Sequence, residues 1–189
     1  MITKTKTIYE NLNELKAAIK DGAFHIGDEF ITEDIDGKAK FVIAHTDDNY
    51  VYFVRKNLLK DTKPVKSGDF SLFDWLNEDY LMSMPEDLRK EMEAPAGQQA
   101  IDLPKEIQVF GKNEYGIKED GEQWEYFKKC KNRIAVQKSK DEYSHWWWLG
   151  TPEDASAANF CRCTTGGYAA YSYASCADCY VRPRFILAK

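Results

Sequence analysis

The sequence predicts an α+β fold in which short helices pack on small antiparallel sheets. Three observations carry this reading. Ala39 to Thr46 and Tyr50 to Lys56 are β-rich runs joined by Asp47-Asp48-Asn49, which is a hairpin signal. Residues 7–20, 70–80 and 85–92 have the apolar spacing or end signals of short helices. Two bulky runs near the C-terminus, His145 to Thr151 and Tyr180 to Leu187, are aromatic and β-branched and suit a buried pleated surface.

Taken in order, Ile8, Leu12, Leu15 and Ile19 stand at helical spacing with Lys and Glu between them, and Asp21-Gly22 ends that helix. Phe24 to Ile31 opens a strand region ahead of the hairpin. His25 and His45 are isolated strand histidines rather than ligands or bases. Ser67-Gly68-Asp69 marks a turn, and Phe73, Trp75, Leu76 and Tyr80 give the next helix an aromatic face. In the helix at 85–92, Pro85 occupies the first turn and Glu86 and Asp87 precede Arg89 and Lys90, which matches the helix dipole. Leu103 to Phe110 reads as a further strand, Gly111 to Gly116 as a turn, and Gln123 to Phe127 as the start of a short helix. Arg133 to Val136 is a short apolar segment, and Cys130 a small buried or half-buried side chain.

A chain of 189 residues, 43% hydrophobic and 30% charged, can bury a core without staples and reads as one domain over 1–189. A net charge of −5 excludes nucleic acid as the main partner, because phosphate contacts need a cationic face. No apolar run is long enough to span a membrane. No apolar segment follows Met1 to Lys6, so the expectation is cytoplasmic synthesis without a signal peptide, with association to a virion or display at a cell surface still open.

The stretch from Asp154 to Tyr180 differs from everything around it. It uses only Ala, Ser, Asn, Phe, Cys, Arg, Thr, Gly, Tyr and Asp, and lacks Lys, Glu, Gln, Trp and Met. No helical or strand period runs through it, and it is not hydrophobic enough to read as core. Each type present can be encoded by a codon ending in a pyrimidine, and the five missing types cannot. Random replacement of the two adenines of an Asn codon gives this alphabet. In this respect the chain resembles the variable proteins of diversity-generating retroelements, in which adenine-directed mutagenesis rewrites a C-terminal cassette on a C-type-lectin-like scaffold. A second resemblance covers nearly the whole chain. The run FHIGDEF to YVYFVRKNLL, then DWLNEDYL, the helix at 85–92, WWWLGTP and YVRPRFIL occur in the same order in a family of bacterial and phage domains whose end is marked by W-W-L-R-S-P and G-V-R-P-A motifs. Here Gly150 stands where that family has Arg, and Tyr180 where it has Gly.

These resemblances imply a C-type-lectin-like fold with scaffold at 1–153, a variable ligand-binding region at 154–180 and a closing core strand at 181–189. Tyr among Ser, Ala, Gly and Asn is also the composition of an antibody-like paratope. The candidate contact residues are Ser156, Asn159, Phe160, Arg162, Thr164, Tyr168, Tyr171, Tyr173, Ser175, Asp178 and Tyr180, with Gly166-Gly167 forming the turn between two strands. The implied partner is a protein or other surface ligand, and assembly as a homo-oligomer or on a display structure is compatible with it. No cofactor is called for. Cys161-x-Cys163 and Cys176-x-x-Cys179 leave three states open: a zinc site, disulfides, or free thiols on a variable surface. An enzyme related to the sulfatase-modifying family is the catalytic alternative, but no base is paired with a cysteine nucleophile. A non-diversified virion or surface component is the third class.

Overall fold

The computed structural model describes residues 6–95, 98–137 and 143–189. Residues 1–5, within the N-terminal segment read for a leader, lie outside that set. The fold is mixed α+β, with small sheets and few helices. Strand β1 (Ile8–Tyr9) pairs in parallel with β2 (Glu29–Asp34). The antiparallel hairpin of β3 (Gly37–Thr46) and β4 (Tyr50–Arg55) follows as the sequence predicts. Its turn is fixed by Asp47, whose Oδ1 accepts the N–H groups of Asn49 and Tyr50 at 2.8 Å each.

The first helix is shorter than the predicted 7–20. Asn11 caps α1 (Leu12–Lys20) by accepting the Glu14 N–H at 2.9 Å, and Gly22 leaves it at φ +63°. Ile8 and Tyr9 are drawn into the sheet instead, because the Glu29 N–H donates to the Thr7 carbonyl and the Thr7 N–H to Asp28. After a two-residue hairpin, β5 (Lys66–Ser67) with β6 (Phe70–Ser71), Ser71 caps α2 (Leu72–Trp75), which widens into a π turn over Leu76–Tyr80. Leu72, Leu76 and Tyr80 are fully buried on its inner face. Helix α3 (Glu86–Glu91) follows as expected.

The predicted strand at Leu103 to Phe110 is instead a two-residue strand, β7 (Ile101–Asp102), followed by helix α4 (Glu106–Phe110). Tertiary partners override the apolar run there. The Glu106 N–H donates to Thr151 Oγ1 at 2.9 Å, and Gly111 at φ +74° returns its N–H to the Ile107 carbonyl at 2.8 Å. The buried Glu106 carboxylate accepts the N–H groups of Glu114 and Gly116 at 3.1 and 2.8 Å, which shapes the following turn. The predicted helix start near Gln123 is a 3-10 turn at Glu125–Lys128.

The last four strands are β8 (Trp147–Pro152), β9 (Asn159–Cys163), β10 (Ala169–Tyr173) and β11 (Arg184–Ala188). Strand β11 enters the main sheet between β4 and β7, giving the order β1-β2-β3-β4-β11-β7. Strands β10-β9-β8 form a separate three-stranded antiparallel sheet. The main sheet is buried on both faces. Phe41, Ile43, Phe53 and Phe185 feed one core with Leu15, Leu76 and Trp148, while Val42, Ala44 and Val54 feed a second with Phe127, Trp147 and Leu149. That explains the nearly continuous apolar run of β3, since a strand covered on both sides loses its alternation. No described helix is long and apolar enough to cross a membrane.

Candidate functional site

Strand β8 anchors the three-stranded sheet with two fully buried tryptophans, one in each core. Trp147 Nε1 donates to the Arg133 carbonyl at 3.0 Å, and Trp148 Nε1 to that of Lys63 at 2.8 Å, so neither indole N–H is left unpaired. Strand β9 then divides its side chains between the two sides. Cys161 and Cys163 pack into the second core. Phe160 packs against Phe73, with ring centres 6.0 Å apart, and the Arg162 guanidinium lies 3.8 Å from the Trp146 ring centre. The expectation that 154–180 has no strand period and is not hydrophobic enough to be core is thus overturned at β9. Small residues, Cys above all, carry the inward positions, so the period is invisible to a hydrophobicity pattern.

The β9–β10 turn forms at Gly166-Gly167 as the sequence predicts. Gly167 has φ +78°, and its N–H donates to the Thr164 carbonyl at 3.0 Å. Thr164 Oγ1 accepts the Tyr168 N–H at 3.1 Å, so Thr164 shapes the turn from within. The Cys130 thiol reaches the Gly166 carbonyl at 3.6 Å and steadies the tip.

Strand β10 is the edge of its sheet and carries Tyr171 and Tyr173, with Tyr168 just before it in the turn. Tyr171 stands opposite Cys161 and Tyr173 opposite Asn159, on the same side of the pair. Tyr168, Tyr171 and Tyr173 keep 68%, 46% and 71% of their surface exposed. Tyr115 joins them from the turn behind α4, its ring centre 5.3 Å from that of Tyr171. Nothing in the sequence pattern marks Tyr115; it reaches the site because Glu106 gathers the backbone of 114–116.

The other candidates divide by burial. Ser175 and Asp178 are exposed. Ser156, Asn159, Phe160, Arg162 and Thr164 are half-buried and already engaged: Ser156 Oγ accepts the Ala158 N–H at 3.3 Å, and Asn159 Nδ2 donates to Glu153 at 3.4 Å. Tyr180 is a correction. It is 6% exposed, its backbone is bonded to Trp146 and Trp148, and its ring lies 4.7 Å from that of His145, so it belongs to the scaffold rather than to a contact surface. Gly150 also packs inward, where an added Cβ would stand 3.0 Å from the Leu103 carbonyl oxygen.

The cysteines do not converge. Cys161 and Cys163 belong to the second core, Cys176 and Cys179 to the first, and all five thiols are free. A four-thiolate zinc site is therefore not formed. Among the described residues no three His, Cys, Asp or Glu side chains gather as metal ligands. Burial pushes the Cys163 thiol up to about 12 and, with Glu106 nearby, the Cys161 thiol well above its ordinary range. Both are neutral thiols rather than the thiolates that nucleophilic chemistry requires.

Residues 103–189 match a family described as Domain of unknown function (DUF6273). The match includes α4, Tyr115, β8 to β11 and the two motifs WWWLGTP and YVRPRFIL. No curated protein and no solved structure matches the chain.

Proposed function

We propose that this protein binds a protein or other surface ligand through the tyrosine face of β10 and the β9–β10 turn. In this reading, residues 154–180 are a cassette diversified by a retroelement and displayed on a C-type-lectin-like scaffold. One observation carries it: Tyr171 and Tyr173 on an edge strand, and Tyr168 in the turn before it, stand exposed while Cys161 and Cys163 of the paired strand pack into the core. Tyr offers large contact area at low entropic cost, and rings left in water contribute little to folding. The order of burial also supports the reading. Trp147, Trp148, Phe185 and Leu187 hold the frame on both flanks, so side chains on the open face can change without a change in core volume.

Sequencing this locus from many cells or phage of one population tests the proposal. The expected result is substitution confined to 154–180, concentrated at Tyr168, Tyr171, Tyr173, Ser175 and Asp178 and sparing Cys161, Cys163, Gly167 and Ala174. It should fall on codons that carry adenine in a template copy. Uniform codons across the stretch would overturn diversification and leave a fixed surface.

A further inference from the structure

We infer that β10 pairs edge to edge with β10 of a second copy of this chain, antiparallel and related by a two-fold axis at Tyr171. This does not depend on the ligand-binding reading, because it uses the backbone edge of the strand rather than its tyrosine face. A strand edge is a row of unpaired N–H and C=O groups, and folds blunt such edges with short strands, charges or cover. Among the described residues, every sheet edge except β10 is blunted in one of these ways. The main sheet ends in two-residue strands, β1 and β7, and past β1 the edge of β2 carries the charges of Glu33 and Asp34. The β5–β6 pair is two residues long. Strand β8 is covered on its outer side: the Trp148 N–H donates to the Tyr180 carbonyl, the Gly150 N–H to that of Pro104 and the Ile117 N–H to that of Pro152, each at 3.0 Å. Strand β10 runs five residues, pairs with β9 alone among the described residues, and keeps an unbroken register with no Pro and no bulge.

The register decides which groups are open. The Thr164 N–H donates to the Tyr168 carbonyl at 2.9 Å and the Ala174 N–H to that of Ala158 at 2.8 Å, so the even-numbered residues of this strand bond to β9. The N–H and C=O groups of Ala169 and Tyr171 and the N–H of Tyr173 therefore point to the free edge, while the Tyr173 carbonyl takes the Cys176 N–H at 2.9 Å. These groups are spaced symmetrically about Tyr171. A two-fold axis there sets Tyr171 of one protomer against Tyr171 of its partner, exchanging both backbone hydrogen bonds. It also sets Ala169 against Tyr173, so a small side chain meets a large one. Charge favours a copy over a foreign strand. No side chain between Arg162 and Asp178 is charged at neutral pH, so two chains of net charge −5 meet here without direct repulsion, and a charged peptide finds no counter-charge. Pairing doubles the three-stranded sheet and lays the tyrosine faces of both protomers side by side.

The test is sedimentation velocity of the full chain over an about hundredfold range of protein concentration, with a thiol reductant present to exclude intermolecular disulfides. The expected result is a concentration-dependent shift from the 21.8 kDa monomer to a dimer. Tyr171→Pro removes an N–H that β9 does not use, so circular dichroism should show the fold retained while the dimer weakens about tenfold or more. A charge exchange locates the axis. Tyr171→Lys and Tyr171→Glu each place like charges face to face and should be monomeric alone, and an equal mixture of the two should restore the dimer. That readout stands even where the proline variant fails to fold. A monomer at every concentration would overturn the pairing. So would a dimer that the Tyr171 variants leave intact, or a mixture that stays monomeric. No ligand enters this experiment, and codon variation at the locus tests the ligand-binding reading separately, so either can fail alone.

Discussion

Tyr171 and Cys161 oppose each other across the β9–β10 pair, yet Cys161 is wholly buried and Tyr171 keeps nearly half its surface in water. The difference comes from what lies beyond each strand. Cys161 is enclosed by β8 and by the turn at Gly116, where an added Cβ would stand 3.1 Å from its sulfur. Tyr171 sits on the sheet edge with Tyr115 beside it. Tyr173→Ala should therefore change stability by no more than about 0.5 kcal/mol. Tyr171→Ala should lose about 1 kcal/mol through the ring pair. Cys161→Tyr, allowed by the same codon alphabet, overpacks the core and should cost about 3 kcal/mol or more. Thermal unfolding of the three variants measures the order; a large loss at Tyr173 would place it in the core.

Trp147 carries the opposite expectation. Its ring packs 6.2 Å from that of Phe127 and lies under the Arg182 guanidinium at 5.0 Å, with no exposed surface. Trp147→Ala should cost about 3–5 kcal/mol. The cavity also leaves the buried Arg182 without its aromatic cover, so urea denaturation should show loss of the whole cooperative transition rather than of the hairpin alone.

Much of this fold is written in local pattern. The β3–β4 hairpin, the Pro85 helix and the two C-terminal core strands follow from alternation, caps and β-branched or aromatic runs. What escapes is set by distant partners. Helix α4 forms because Thr151, 45 positions away, accepts the Glu106 N–H, and no feature of Leu103 to Phe110 announces that. Strand β9 escapes because its inward positions are cysteines rather than larger apolar residues. At the site, the exposed tyrosines of β10 and the glycine turn are legible from composition. Tyr180 is misread because its burial depends on a parallel bridge to Trp147, which sequence spacing does not show.

A buried ionic cluster joins the sheet to the π turn. Arg55 donates through Nε to Asp34 at 2.8 Å and through Nη2 to Asp36 at 3.1 Å, and the fully buried Tyr80 hydroxyl donates to Asp34 at 2.7 Å. Asp34→Ala leaves Arg55 desolvated with one of its two carboxylate partners gone, and should cost about 3–5 kcal/mol. Tyr80→Phe removes one hydrogen bond to a carboxylate and keeps the packing, so about 1.5 kcal/mol is expected. Chemical denaturation of both variants tests the ranking. Equal losses would mean that Asp34 matters only as the acceptor for Tyr80.

Acid sensitivity should centre on Glu29. Its buried carboxyl would be raised by desolvation, but hydrogen bonds and charge from Lys56 and Lys6 outweigh that and hold it at about 2; Lys40 stands 3.5 Å away. The folded value lies below the unfolded one, which is about 4.3. The stabilisation is therefore complete above that value and is lost as pH falls through the window from about 4.5 to 2. The lysines are partly exposed, so screening limits the effect to about 1 kcal/mol. Melting curves should decline across that window in the native chain, and Glu29→Gln should flatten this part of the decline while starting from a lower melting temperature at neutral pH. Salt at about 1 M should shrink the difference between the two proteins. If native and Glu29→Gln curves fall in parallel, the acid response arises at other carboxylates and the lysine cluster holds Glu29 without stabilising the fold.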